Sequence, residues 1–169
     1  MFADEARFGR IAEPKRCWSP PHIRPIVPKQ LIREYEYVYG AFSPLDGVAD
    51  TLILPNMFSQ TMNLFLKEIG QRHQDEYILM IVDGASNHRA NQLNIPDNIQ
   101  LLILPPYSPE LNPSENIWDE IREKWFKNCV FKDLSAVEQR LINALRFYET
   151  HPEIVRSITS WKWITDAIY

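Results

Sequence analysis

Residues 77–90 read YILMIVDGASNHRA, and residues 99–118 read IQLLILPPYSPELNPSENIW. Each segment begins with a short apolar run that ends at glycine or proline. Runs of this length and composition favour buried parallel strands over helices. Asp83 follows the first run directly, and Glu115 follows the second at the head of a helix. Because ligands of open α/β sheets bind beyond the carboxyl ends of parallel strands, this edge is the predicted functional site.

Five strands and several helices can be predicted around this pair of segments. Period-two alternation and apolar runs predict strands over residues 2–11, 34–42, 48–54, 77–82 and 99–104. Helical periodicity predicts helices over residues 57–73, from 113 onward, and over 134–148, with a crossover at residues 88–93. Five prolines between residues 14 and 28 predict a long loop there. Three antiparallel strands, a helix, two parallel strands and further helices are the element order of a ribonuclease-H-like α/β domain.

Several side chains are assigned to the core or to helix ends by their spacing. One face of the first strand is expected to carry Phe2, Asp4, Ala6 and Phe8. The first helix is expected to bury an apolar stripe made of Phe58, Met62, Phe65, Leu66 and Ile69. The next helix buries a stripe containing Ile117, Trp118, Ile121 and Trp125. Ser135 and Glu138 form a predicted capping box. The tail, residues 158–169, is either a closing helix or a contact surface.

Length and composition indicate a single domain with one good core, since 45% of the 169 residues are hydrophobic. The net charge of −4 argues against strong non-specific DNA binding by this chain alone, because such binding comes mainly from Lys and Arg. No signal peptide or membrane span is recognisable. Cys17 and Cys129 have no metal-type spacing, so both are predicted to be free thiols in a reducing cytoplasm.

Three carboxylates could meet at the predicted edge, since Asp4 in the opening FADEARFG joins Asp83 and Glu115. Three such oxygen donors suit Mg²⁺ or Mn²⁺, and the cation would remove the repulsion between the acids. Each residue also has a plainer interpretation. Asp83 could belong only to a turn, Asp4 could be an exposed acid near a chain end, and Glu115 could complete a capping box with Asn112. His88 fits a loop or helix start better than a catalytic role.

Three segments resemble the acidic motifs of the DDE transposases, specifically the bacterial insertion-sequence branch of the mariner-like superfamily. They are DEARFG at residues 4–9, VDGA at 82–85 with His88, and LPPYSPELNPSE at 104–115 with Trp118. The second and third acids lie 115 − 83 = 32 positions apart, close to the usual separation in that family. The resemblance covers nearly the whole chain in the right order, and the final glutamate is the one used by the bacterial branch.

The resemblance implies a ribonuclease-H-like fold with a mixed five-stranded sheet, and it assigns Asp4, Asp83 and Glu115 as catalytic residues and ligands of two Mg²⁺ (or Mn²⁺) ions. The implied reaction cuts a phosphodiester at a transposon end with metal-activated water. The freed 3′-hydroxyl then attacks target DNA, typically at a TA step. The implied partner is double-stranded DNA, as transposon ends and target, with no membrane. Self-association is compatible with this function, as is a bacterial cytoplasmic location, at the nucleoid when on DNA.

One departure from the family concerns the N-terminus, where members carry helix-turn-helix domains before the first acid. Here Asp4 is preceded by three residues, so a single catalytic domain spanning residues 1–169, without those end-binding domains, is expected. Two other functions stay open. One is a non-catalytic transposase remnant that associates with the intact enzyme through Trp161, Trp163 and Ile164. The other is a nuclease of ribonuclease-H type.

Overall fold

The structure is a computed structural model that describes residues 1–84, 93–106 and 108–168. The strands are β1 (Phe2–Ala12), β2 (Gln30–Phe42), β3 (Ala49–Leu54), β4 (Ile78–Val82) and β5 (Ile99–Ile103). The helices are α1 (Ser59–Arg72), α2 (Ser114–Ile121), α3 (Leu134–Thr150), α4 (Pro152–Thr159) and α5 (Lys162–Ile168). The predicted crossover at residues 88–93 lies almost wholly outside the described residues.

The five strands form one mixed sheet in the order β3-β2-β1-β4-β5. The first three strands are antiparallel neighbours, whereas β4 runs parallel to both β1 and β5. This arrangement confirms the predicted ribonuclease-H-like topology. Phe2 of β1 pairs with Ile81 of β4, so two positions further along both strands Asp4 comes level with Asp83.

The β1–β2 hairpin is longer than its sequence pattern indicated. β2 begins at Gln30 rather than at residue 34, and Leu31 pairs with Ile11 beyond a register shift that follows Gly9. This outer part of β2 is exposed, so no burial pattern marks it in the sequence. The proline-rich segment between the strands is irregular, as predicted.

Helices cover both faces of the sheet. α1 packs on one face through Met62, Phe65, Leu66 and Ile69, together with β4 residues such as Met80. The opposite face carries α2, α3 and α4, whose buried residues include Ile117, Trp118, Ile121, Leu141 and Val155. Phe58 was wrongly predicted in the buried stripe of α1. It precedes the helix and its side chain is 63% exposed.

The C-terminal end of α1 is fastened to its surroundings by polar contacts. The Asn98 side chain donates hydrogen bonds to the carbonyl oxygens of Gly70 (3.1 Å) and His73 (2.8 Å). The His73 ring lies between two carboxylates, with Nε2 2.7 Å from Asp50 Oδ2 and Nδ1 2.6 Å from Glu76 Oε2. Burial alone would lower the pKa of His73, but these two hydrogen bonds outweigh it and raise the pKa.

The ends of the C-terminal helices correct one prediction and decide another. Asp133, not Ser135, caps α3, since its side chain accepts the backbone N–H of Ala136 at 2.8 Å. The predicted capping box of Ser135 with Glu138 is therefore wrong. The tail forms a closing helix, α5, whose Ile164 is buried while Trp163 packs edge-on against Phe2.

Two further observations bear on sequence predictions. Cys17 and Cys129 are both free, as expected. Among the described residues, no helix has the length and apolar character needed to span a membrane.

Candidate active site at the edge of β1 and β4

Asp4 and Asp83 reach the same side of the sheet because of strand alternation. Ala3 and Val82 are buried against the α1 face, so the next residue in each strand direction, Asp4 or Asp83, is directed to the α2 face. Asp4 is buried, with 8% of its surface exposed, whereas Asp83 is half-buried. The interpretation of Asp4 as an exposed acid is therefore wrong.

The start of α2 brings Glu115 to this edge by binding directly to β1. Ser114 Oγ donates a hydrogen bond to the Phe2 carbonyl oxygen at 2.9 Å, and Asn112 Nδ2 donates one to the Ala3 carbonyl oxygen at 3.5 Å. Asn112 and Ser114 are both buried, so these contacts replace hydrogen bonds to water that the groups cannot make. Glu115 follows Ser114 immediately and stays exposed.

The Asn112 side chain accepts a hydrogen bond at the start of α2, but Glu115 takes no part in the predicted capping box. Asn112 Oδ1 accepts the backbone N–H of Ser114 at 3.1 Å. The reciprocal bond would need the backbone N–H of Asn112, and that group already donates to the Pro109 carbonyl oxygen at 2.9 Å. Glu115 makes no side-chain capping bond, which leaves its carboxylate available to the neighbouring cleft.

All three acids named from the sequence line one cleft with a volume of about 350 Å³. Its other walls are Gly84, Leu104, Pro105, Pro106, Ser108, Pro109 and Asn112. The acids share the cleft without forming a closed cage. Within residues 1–84, 93–106 and 108–168, no three His, Cys, Asp or Glu side chains are arranged to hold a metal ion. His88 and Tyr107, which belong to the same motifs, lie outside the described residues.

Burial and neighbouring acids determine the electrostatics of Asp4 in the cleft. Burial, followed by the negative charges of Glu115 and Glu5, raises the pKa of Asp4 from 3.8 to about 8. Hydrogen bonds from the Glu5 backbone and from the Trp118 side chain counteract only part of this rise. A divalent cation in the cleft would favour the ionised carboxylate, so the oxygen donors and their charge suit Mg²⁺ or Mn²⁺.

Sequence reasoning missed the polar role of one residue. Trp118 was assigned to the core, where it is fully buried, but its Nε1–H also donates a hydrogen bond to Asp4 Oδ2 at 2.9 Å. The general need of a buried indole N–H for an acceptor was the available signal, although nothing in the sequence named that acceptor.

The chain is similar in sequence to a known protein family and to one curated relative. A family model described as "DDE superfamily endonuclease" matches residues 1–138. "Uncharacterized protein y4pE/y4sA" of Sinorhizobium fredii (strain NBRC 101917 / NGR234) is 36% identical over 130 residues, which are 76% of this chain and 96% of that protein.

Solved structures similar to this chain include complexes of the Mos1 transposase. A pre-cleavage Mos1 transpososome gives a TM-score of 0.66 at 15% identity, covering 99% of this chain and 56% of that chain. A Mos1 paired-end complex with the left transposon end gives 0.62 at 14% identity, covering 92% and 54%. The chain thus spans about half the length of these transposase chains, and at such identities the likeness concerns the fold.

The match over residues 1–138 extends from β1, which carries Asp4, through α2, which carries Glu115. The motif resemblance and the sheet order agree with it. Assignment to the bacterial insertion-sequence branch stays a prediction. The family itself is shown: this chain belongs to the DDE superfamily endonucleases and has their ribonuclease-H-like fold.

Proposed function

We propose that this chain is the catalytic domain of a transposase. It cuts DNA phosphodiester bonds with a divalent metal ion and joins the freed 3′-hydroxyl to target DNA. The observation that carries the proposal is the single cleft shared by Asp4, Asp83 and Glu115. These residues come from a strand start, a strand end and a helix start that are far apart in the sequence.

The proposed metal ligands are Asp4, Asp83 and Glu115, and the proposed cofactor is a pair of Mg²⁺ or Mn²⁺ ions. Oxygen-only donors support hard divalent cations over zinc or copper. The raised pKa of Asp4 supports the same assignment, because burial and the nearby charges of Glu115 and Glu5 disfavour its ionised form, which a bound cation would stabilise. When bound, such ions lower the pKa of an attacking water and stabilise the leaving oxygen in phosphoryl transfer.

The protein's own part in this reaction is to hold the acids in place. Sheet register keeps Asp4 level with Asp83, and the hydrogen bonds of Asn112 and Ser114 to β1 keep the start of α2 at the same edge. Positioning of this kind supplies a large part of the catalysis in phosphoryl transfer, where the protein itself makes few covalent bonds.

The proposed partner is double-stranded DNA, both as transposon ends and as target. A net charge of −4 and an acid-lined cleft repel phosphates, so DNA would approach this edge only with cations present. Similar solved structures support a DNA substrate, since they include a Mos1 strand transfer complex and Mos1 paired-end complexes with Mn and with Mg. The proposed location is the bacterial cytoplasm, at the nucleoid when on DNA, and association between copies is part of this proposal.

The test combines metal binding with DNA cleavage. Mn²⁺ is titrated into the protein by calorimetry, and supercoiled plasmid is incubated with Mg²⁺ or Mn²⁺. Asp83→Asn is expected to reduce Mn²⁺ binding and to abolish nicking. Asp75→Asn is the matched control, since Asp75 is an exposed acid just before β4, at the opposite end of the same strand.

Equal Mn²⁺ heats from the wild type and Asp83→Asn would refute the metal site. An RNA–DNA hybrid is offered beside the duplex plasmid. Cleavage of the hybrid alone would refute the transposase assignment and favour a ribonuclease-H-type nuclease.

A further inference from the structure

The hydrogen bond between Trp118 and Asp4 joins two buried groups, one in α2 and the other in β1. Trp118 Nε1 lies 2.9 Å from Asp4 Oδ2, and the two residues are 114 positions apart in the sequence. Trp118 is fully buried, so its N–H cannot donate to water in place of Asp4. Such a bond to a carboxylate is directional, and it restricts rotation of the acid group.

Aromatic packing fixes the direction in which the Trp118 N–H points. The indole ring lies 5.2 Å from the ring of Phe42 at an interplanar angle of 75°, and 6.3 Å from the ring of Phe8 at 69°. Edge-to-face contacts of this kind are favourable and define the ring orientation. The indole is therefore a rigid donor rather than a side chain that adjusts to the carboxylate.

Gly40 leaves the space that this indole occupies. It is the residue of β2 that pairs with Asp4 of β1. A Cβ at position 40 would lie 2.6 Å from Trp118 Cη2 and 2.7 Å from atoms of the Phe42 ring, both well inside van der Waals contact. Gly40 is not among the residues with positive φ, so close approach of the indole, not backbone conformation, is the reason for glycine here.

We propose that Trp118 and Gly40 are positioning residues for the metal-binding carboxylate of Asp4. The indole N–H holds one carboxylate oxygen in the protein interior, so the group presents a constant edge to the cleft that Asp83 and Glu115 also line. Groups that hydrogen-bond to metal ligands orient them, and their loss lowers metal affinity. This inference rests on the proposed function, because it assigns Asp4 to a metal ion.

A purely structural role for Trp118 predicts lower stability but unchanged metal affinity, so Mn²⁺ affinity separates the two roles. Trp118→Phe keeps an aromatic ring and removes the donor. Gly40→Ala keeps the donor and displaces the indole. Trp125→Phe is the matched control. It lies beyond α2, its ring packs on Phe147, and its side chain hydrogen-bonds to Tyr148 rather than to an acid of the cleft.

Mn²⁺ affinity of the full chain is measured by calorimetry and by electron paramagnetic resonance of the free ion, with urea unfolding as the measure of stability. Trp118→Phe and Gly40→Ala are each expected to weaken Mn²⁺ binding by about tenfold. Trp125→Phe is expected to bind as the wild type does, even where its stability falls. Wild-type affinity in a folded Trp118→Phe variant would overturn the inference.

Mn²⁺ binding by the wild type distinguishes failure of the proposed function from failure of this inference alone. Absence of Mn²⁺ binding by the wild type would overturn the proposed function and this inference together, whereas binding that survives Trp118→Phe overturns the inference alone. Nuclear magnetic resonance of ¹⁵N-labelled indoles covers the case in which Trp118→Phe does not fold. Adding Mg²⁺ should then shift the most protected indole N–H of the wild type and not that of Gly40→Ala. An equal shift in both would overturn the inference.

Discussion

Replacing Asp4 by asparagine is expected to stabilise the metal-free protein at neutral pH while removing a metal ligand. The side-chain oxygen of asparagine can still accept the Trp118 hydrogen bond, so the packing of the indole is preserved. The substitution removes the free-energy cost of ionising a carboxyl group at this position in the folded protein. The cause is burial first, followed by the nearby negative charges of Glu115 and Glu5.

The size of the effect follows from the pKa of Asp4, which is 3.8 as a reference value and about 8 in the folded protein. The folded state therefore binds a proton that the unfolded state releases above pH 3.8. The stability that this proton provides is fully present below pH 3.8 and is lost as the pH rises towards 8. Each pH unit in that window costs about 1.4 kcal/mol, so the loss reaches about 4 kcal/mol at pH 7. Asparagine is neutral in both states and avoids this loss.

The assay is urea unfolding of both proteins at pH 5, 6, 7 and 8 with a chelator present. The free energy of unfolding of Asp4→Asn should exceed that of the wild type by an amount that grows by about 1.4 kcal/mol per pH unit. Asp75→Asn, which changes an exposed acid, should follow the wild type. Parallel pH curves for Asp4→Asn and the wild type would show that the carboxyl ionises as in the unfolded chain, and the argument from burial would fail.

Three further changes test the scaffold of the site. The raised pKa of His73 should add to the loss of stability as the pH rises above 6.5. His73→Gln should therefore reduce, without abolishing, the slope of stability against pH in urea unfolding between pH 6 and 8.5, because the contribution of Asp4 remains. An unchanged slope would contradict the contact of His73 with Asp50. Asn98→Ala removes a donor to the end of α1 and should lower the free energy of unfolding by about 1–3 kcal/mol in the same assay. Leu141→Ala should lower the free energy of unfolding by about 2–5 kcal/mol, because Leu141 is fully buried. Leu64→Ala, at an exposed position of α1, should lower it by less than about 0.5 kcal/mol. Similar losses for both variants would contradict the assigned core.

The sheet was predictable from the sequence because its central strands carry strong local signals. The alternation of Phe2, Asp4, Ala6 and Phe8 predicts a strand with one buried face, and all four residues are buried. The apolar runs that became β4 and β5 are almost as long as predicted. In contrast, residues 31–34 of β2 are exposed on both faces, so their position in the sheet leaves no burial pattern in the sequence.

The acidic residues of the candidate site were predictable from the sequence, but the contacts that position Asp4 were not. Motif resemblance named Asp4, Asp83 and Glu115, and the structure places all three on one cleft. The acceptor of the Trp118 N–H could not be inferred, because contacts across 114 positions depend on how helices pack on the sheet. The space reserved by Gly40 is likewise a property of packing and not of any local pattern.

The register between β1 and β4 has a mechanical consequence. Among the described residues these strands share one paired position, Phe2 with Ile81, whereas β1 pairs with β2 over most of its length. Sliding β4 and β5 past β1 therefore disrupts fewer main-chain hydrogen bonds than sliding β1 past β2, or β2 past β3, would disrupt. Asp4 follows the paired position on β1, and Asp83 follows it on β4. A small sliding of β4 along β1 therefore changes the distance between the two side chains, while the other strand pairs stay intact.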